Sequence, residues 1–341
     1  VKSHGARLQW LRWPLAAAVL VCTAWGAMAL WYQGPATLAV RLAVMILWGG
    51  IGLLGLGAFV AKRWRASLVW LLAFAVMLGW WATIRPSHDR SWADDVARLL
   101  RAEHEGSVVT LHNVRNFSWR TPEDYDVRWE TRAYDLDRIV SADLVLSYWM
   151  GPAIAHTLVS FGFDDGRHLV FSLEIRKEAH EQFSAVGGFF REFEAVLIAA
   201  DERDIVRTRS NARGEDVYLY RLNLRPSQLR TLFTAYLEEG ERLRRTPTFY
   251  NTLTTNCTTI VYDIARRLDP GLPLDPRLLL SGYFAGYAYD QGGLAEGIPF
   301  ETLHARGYIN PRARAVADGP DFSRAIRVGV PGTEDDVTSS R

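Results

Sequence analysis

The first 84 residues of this 341-residue chain are overwhelmingly apolar, and that constrains the fold more than any other feature. Residues 13–31 carry no charged side chain. In lipid, a run of that length satisfies its backbone only as a helix, and about 20 such residues cross a bilayer. Two more apolar runs follow, at 42–61 and 67–83. The expectation is an N-terminal three-helix transmembrane anchor over residues 1–85. Lys62, Arg63 and Arg65 lie between the second and third runs, whereas only Arg41 lies between the first and second. Basic residues collect on the cytoplasmic side. The N-terminus, with Lys2, Arg7 and Arg12, is therefore expected in the cytoplasm, and the chain beyond Ile84 outside it. Trp13, Trp31, Tyr32, Trp80 and Trp81 fall near the predicted span ends, as an aromatic belt requires. Gly49, Gly50, Gly52, Gly55 and Gly57 would let the spans pack closely.

After residue 85 the composition becomes that of an ordinary charged globular domain. The formal net charge of the whole chain is +1, which gives no electrostatic reason to expect a nucleic-acid partner. Of the two cysteines, Cys22 lies in the first apolar run, so Cys257 has no disulfide partner in the globular part. Exported domains usually pair their cysteines or lack them, so a lone thiol there points toward chemistry. Cys257 follows Thr254, Thr255 and Asn256, all capable helix caps, and precedes Ile260, Val261, Ile264 and Leu268 at helical spacing. Asp269, Pro270 and Gly271 then stop the helix. A thiol at a helix start faces unsatisfied N–H groups and a partial positive charge. Both favour the thiolate, and the same N–H groups can hold an oxyanion.

The globular part reads as α+β, with strands early and helices late. Strands are expected at 108–111, 127–134, 142–148, 153–163 and 168–176, the last two joined by the turn Asp164-Asp165-Gly166-Arg167. Residues 192–200 and 217–222 read as strands or short helical pieces. Residues 91–101, 227–244 and 276–285 read as helices, and the chain beyond 310 as a polar, partly disordered tail. The expected domains are thus 1–85, 86–310 and 311–341.

His156 opens a strand whose later positions are apolar, a good place for a general base. Nucleophile and base need only meet in space. Ser172 and Glu174 lie on the following strand, and either can orient the imidazole, with Glu174 preferred. Asn256 is a candidate second oxyanion donor. The arginine-rich pieces around Arg203–Arg213 and Arg242–Arg245 read as solvated faces or contacts to anionic headgroups. Neither His-Glu-x-x-His nor Cys-x-x-Cys occurs, and no metal or cofactor is expected.

Asn113-Val114-Arg115-Asn116-Phe117, Tyr134-Asp135-Leu136, His156 through Phe161, Ser172 through Arg176, and Tyr250-Asn251 with Asn256-Cys257 together resemble the Lnb-type lipoprotein N-acyltransferases and proteins with an Lnb-like periplasmic domain. Their His-before-Cys order is similar to that of permuted papain-like enzymes. The resemblance implies an antiparallel sheet with helices, Cys257 as nucleophile and His156 as base. It also implies an acyl chain moving from a lipid ester, through a Cys257 thioester, to an amine such as a lipoprotein N-terminus. Membrane lipid and a diacylated lipoprotein are the implied partners, and the implied location is the bacterial inner membrane with a periplasmic catalytic domain. Asn113, Arg115, Asn116, Tyr250, Tyr287 and Tyr289 become candidates for a substrate groove. The alternatives are an extracytoplasmic cysteine hydrolase or amidase and a non-catalytic anchored binding module.

Overall fold

The computed structural model describes residues 12–333. Lys2, Arg7 and most of the last ten residues therefore lie outside the described residues. The chain forms two compact units, one holding the residues up to Ser87 together with 184–193, the other 88–183 and the residues from Glu194 on.

The first unit is helical: α1 (Arg12–Gln33), α2 (Leu38–Val60) and α3 (Trp64–Thr83). Two of these, over Trp13–Gln33 and Leu38–Val60, are long and apolar enough to cross a membrane, while the apolar part of α3, Ser67–Thr83, is shorter. The helices meet where α1 turns Thr23 inward. Trp48 Nε1 donates to the Thr23 carbonyl at 2.8 Å, and Trp70 Nε1 to its hydroxyl at 3.2 Å. Of the five glycines in α2, Gly52 and Gly55 make the close contacts. A Cβ on Gly52 would stand 2.2 Å from the Thr23 methyl, and one on Gly55 2.6 Å from the Trp70 ring, whereas Gly49, Gly50 and Gly57 face open space. Residues 184–193 pack at the C-terminal ends of α1 and α3. Gln33 Nε2 donates to the carbonyls of Phe190 and Arg191, Tyr32 stacks on Phe190, and Arg191 donates to the Trp81 carbonyl.

The second unit is α+β, built on a mixed sheet. Its strands are β1 (Arg101–Glu105), β2 (Val108–Arg115), β5 (Trp129–Asp135), β6 (Ile139–Tyr148), β7 (Ala155–Phe163), β8 (His168–Arg176), β9 (Glu194–Asp201) and β10 (Asp216–Arg221), with the short pair β3 (Ser118–Trp119) and β4 (Tyr125–Asp126) set apart. The order is β1-β2-β9-β8-β7-β6-β10, with β5 added on β2, and only the β2–β9 contact is parallel. Strand alternation divides the core into two layers. In β7, Val159, Phe161 and Phe163 face one layer and Leu158 the other. The first layer is covered by α5 (Pro226–Arg245), α6 (Cys257–Ala265), α7 (Phe284–Asp290) and α8 (Phe300–Gly307). The second is covered by α4 (Glu202–Arg207), α9 (Asn310–Ala315) and α10 (Phe322–Arg327).

Three expectations change here. Residues 91–101 hold one 3-10 turn, Asp94–Val96, and then enter β1, because Ala102 and Leu111 align across an antiparallel ladder. Residues 276–285 form two 3-10 turns that lead into α7. The chain beyond 310 is not a loose tail up to Thr333: Phe322, Ile326 and Val330 are fully buried. Its anchor is ionic as well as apolar. Arg327 is buried and pairs with Asp143 at 2.6 Å and Glu202 at 2.7 Å. Asp143 also receives Arg221 at 2.7 Å.

Removing one member of a buried ion cluster leaves the rest uncompensated, at a cost of about 3–5 kcal/mol. Arg327→Ala is therefore expected to lower the unfolding free energy of the globular unit by about that amount. Denaturant unfolding followed by near-ultraviolet circular dichroism measures it. A loss below about 1 kcal/mol would show that α10 is held by its apolar face alone.

Candidate active site

Cys257 is the first residue of α6 and is buried. The turn before it is closed by Asn251 and Thr255, which exchange backbone bonds of 3.1 and 3.0 Å. Asn251 Oδ1 also accepts from the N–H groups of Leu253 and Thr254. Asn256 then caps the helix. Its Oδ1 accepts from Thr258 and Thr259 N–H, both at 2.9 Å, and Thr259 Oγ1 accepts from Asn256 N–H in return. The Asn256 Nδ2 donates to the Thr252 carbonyl at 2.8 Å. The side chain of Asn256 thus builds the turn, with its oxygen and one of its two N–H groups engaged there.

His156 stands at the start of β7. Residues 155–157 pair with β6 alone, because the β7–β8 ladder begins only at Leu158 opposite Ser172. This opening in the sheet receives the start of α6. Thr258 and Thr157 share a hydroxyl bond of 3.0 Å, and His156 and the Thr157 N–H lie close enough to the thiol to favour its charged form. The strand start is held from outside by Ser281, whose hydroxyl accepts from Ala155 N–H, and by Gly282, whose N–H donates to the Ala153 carbonyl. A Cβ on Gly282 would come within 2.1 Å of the Pro152 carbonyl oxygen, so this close approach requires glycine.

The register brings both candidate orienting residues to the imidazole. Ser172 and Glu174 lie two apart on β8, on the same face as His156. His156 Nε2 meets Ser172 Oγ at 2.7 Å and Glu174 Oε1 at 3.3 Å, while Ser172 Oγ donates to Glu174 Oε1 at 2.7 Å. That leaves Nδ1 of the imidazole for Cys257. Behind Glu174 stands Arg209, buried, donating to the same Oε1 at 2.8 Å. Arg209 lies in a π-helical turn, Thr208–Ala212, that continues α4. The sequence alone leads one to expect this arginine on a solvated face. Its inward direction comes from the widened turn, a feature that often marks functional sites.

Burial disfavours every charge here, yet the neighbours outweigh it. Burial lowers the His156 pKa, but Glu174 and Cys257 raise it to about 9. Burial raises the thiol of Cys257, but His156 and the Thr157 N–H bring it below its ordinary value. Burial raises Glu174, but His156 and Arg209 hold it well below the usual carboxylate range. Both shifts favour a thiolate–imidazolium pair over a neutral thiol and imidazole. Tyr250 is a further neighbour, close enough that the thiol charge and the Cys257 N–H both act on its phenol, and the thiol charge also acts on Tyr236. Burial, and then the charge on Cys257, push the Tyr250 phenol well above its ordinary pKa, so it keeps its proton.

The other groove candidates serve different ends. Arg115 is buried and bound to Asp204, Asn116 bonds Glu130 and Arg203, and Asn113 takes a left-handed φ of 64° with its amide on the Leu99 carbonyl. Tyr287 is buried against Phe284 with its hydroxyl on the Pro273 carbonyl, and Tyr289 packs on Phe300. Among the described residues no cluster of His, Cys, Asp and Glu could hold a metal ion.

A buried thiol at a helix start, an imidazolium and an orienting carboxylate on an α+β scaffold make up the geometry of a cysteine–histidine site. Residues 125–282 match the family model of the Lnb N-terminal periplasmic domain. The match spans His156, Ser172, Glu174, Arg209, Tyr250 and Cys257. No curated protein and no solved structure matches the chain. The family and the two apolar helices fit a membrane-anchored protein with a periplasmic domain.

The ion pair fixes a pH response. Iodoacetamide is expected to alkylate Cys257 readily at pH 6, where an ordinary thiol with a pKa of about 8.5 is mostly protonated. The imidazolium persists until the pH rises through about 9. In His156→Ala the rate at pH 6 should fall at least about tenfold and recover only as the pH climbs past the ordinary thiol range. Superimposable profiles for the two proteins would mean that His156 does not hold the thiolate.

Proposed function

We propose that this protein is a thiol acyltransferase of the membrane surface. It moves a fatty acyl chain from a lipid ester through a Cys257 thioester to an amine, and the family points to a lipoprotein N-terminus as the acceptor. The observation that carries this reading is the alignment of buried Cys257 with half-buried His156 and Glu174 at a helix start, within a stretch that matches the Lnb N-terminal domain model. In the first half, the Cys257 thiolate attacks the ester carbonyl carbon and a C–S bond forms. The ester C–O bond breaks, and His156 gives its proton to the departing alkoxide. In the second half, the amine attacks the thioester and yields an amide. The proton it loses returns to His156, and the thiolate is regenerated. Glu174 and Ser172 keep the imidazole turned, and Arg209 keeps Glu174 charged and in place.

The oxyanion has two donors in this reading. One is the Cys257 N–H, and the other is the Tyr250 hydroxyl that already lies against it. Transfer is favoured over hydrolysis because Cys257 is buried and His156 half-buried, which limits the access of water to the thioester. The fold is read as a permuted papain-like domain. The anchor is read as three spans, with α3 as the third, the N-terminus cytoplasmic and the globular unit periplasmic.

Intact-mass analysis of the wild type and Cys257→Ser, each incubated with a diacyl phospholipid and with a diacylated lipopeptide, tests the chemistry. A fatty-acyl adduct on the wild type alone, removed by hydroxylamine, is the expected result. Free fatty acid as the only product would favour the hydrolase, and no adduct from either donor would end the acyl-transfer reading. Tyr250→Phe should slow formation of the adduct roughly 100-fold while leaving the alkylation of Cys257 unchanged. An acylation rate within about twofold of the wild type would remove Tyr250 from the oxyanion site, since a lost donor costs far more.

A further inference from the structure

A cavity of about 960 Å³ opens beside β6 and β10, and the acyl-transfer mechanism makes no use of it. It begins one strand from the active site. Ser147 stands opposite His156 on β6, and its hydroxyl donates to Glu215, which lines the cavity. The loop that leads into His156 contributes Trp149, Gly151 and Pro152 to the same wall. Its size falls at the upper end of small-molecule sites, about 300–1,000 Å³.

The lining has two characters. Tyr148, Trp149, Tyr218, Tyr283, Phe300 and His304 form aromatic walls, and Tyr218 and His304 are stacked at 4.3 Å. Trp149 and Tyr283 remain 40% and 44% exposed, so the rim is apolar and open. Arg213, Arg277, Glu215 and Asp216 form a charged edge, in which Arg277 is already paired with Asp275 and Asp290. Arg213 meets Glu215 only at 3.8 Å, longer than a hydrogen bond, so its planar donors can turn to another anion. Burial, and then the charge of Arg209 nearby, depress its pKa, which makes a further negative group welcome. A purely anionic ligand would still face Glu215 and Asp216. A ligand that carries an ammonium as well as a phosphate satisfies both, since cations favour carboxylates and aromatic faces.

We propose that this cavity binds the headgroup of a zwitterionic phospholipid, with the phosphodiester at Arg213 and the ammonium among Glu215, Asp216 and the tyrosines. The exposed Trp149 and Tyr283 at the rim then meet the glycerol and the first acyl carbons. Such a lipid would be a donor for the acyl-transfer reaction, and the proposal rests on that reading only for the steps after binding. Binding itself needs no chemistry at Cys257.

The test is therefore made on full-length Cys257→Ser in detergent, by calorimetric titration with submicellar dihexanoylphosphatidylethanolamine. Saturable binding is expected, weakened at least tenfold by Arg213→Gln and by an intermediate factor by Arg213→Lys, which keeps the charge but loses the planar fork. Glu215→Gln should weaken the ethanolamine lipid while leaving dihexanoylphosphatidic acid, which has no ammonium, equal or tighter. Thermal unfolding midpoints show that each variant is folded. Inorganic phosphate binding as tightly as the lipid would reduce the site to a simple anion pocket and overturn the proposal. So would a zwitterionic tripeptide that binds more tightly, an Arg213→Gln titration equal to that of the parent, or no heat from the lipid at all. Lipid binding by Cys257→Ser alongside a wild type that forms no thioester would keep this site and discard the acyl-transfer reading.

Discussion

Four side chains of alternating sign run through the buried end of the sheet: Arg209, Glu174, His156 and Cys257. No member is stable there alone, because an isolated ion taken out of water loses several kcal/mol of solvation. Together they are neutral, and each stabilises its neighbour's charge. The arrangement around them serves this series. The sheet opens at Leu158 so that a helix start can reach His156, the Asn256 side chain caps the helix and ties it to the preceding turn, and the π-turn brings in the last cation. A thiolate in this setting is not an accident of one perturbed group. It is the end of a chain of electrostatic dependence that begins on the far face of the sheet.

Much of this was legible in the sequence. The Cys257 helix start announced itself by its caps and its apolar spacing, and His156 by a strand that turns apolar immediately after it. The β6–β8 strands and α5 could be read from period and turns. Ser172 against Glu174 could not be decided, because residues two apart on a strand share a face, and both stand against His156. Arg209 was hidden because a π-turn does not follow the 3.6-residue period by which buried faces are recognised. The Asn113–Phe117 motif misled in an informative way. It belongs to the resemblance, yet its polar groups are consumed by Asp204, Glu130 and Arg203, so it supports the fold and not a groove.

The C-terminal helices were invisible for a different reason. α9 and α10 are six residues each, too short for periodicity to speak. Their hold on the domain depends on Arg327 meeting acids on β6 and α4 that lie far away in sequence, a pairing that no local pattern reveals. The same holds for the aromatic cavity, whose walls come from β6, β10, α8 and the turns before α7. Its parts look like scattered tyrosines until the sheet order brings them together.

The π-turn has a consequence for how relatives of this chain are to be sorted. An α-helix advances 100° per residue, so removing a single residue between Asp201 and Arg209 would swing the guanidinium away from Glu174 while leaving the cysteine and the histidine in place. A relative shortened in this way would keep both signature residues and lose the cation that steadies them. The length of this helix, rather than the presence of the pair, then decides whether a copy of the domain keeps the arginine against its carboxylate.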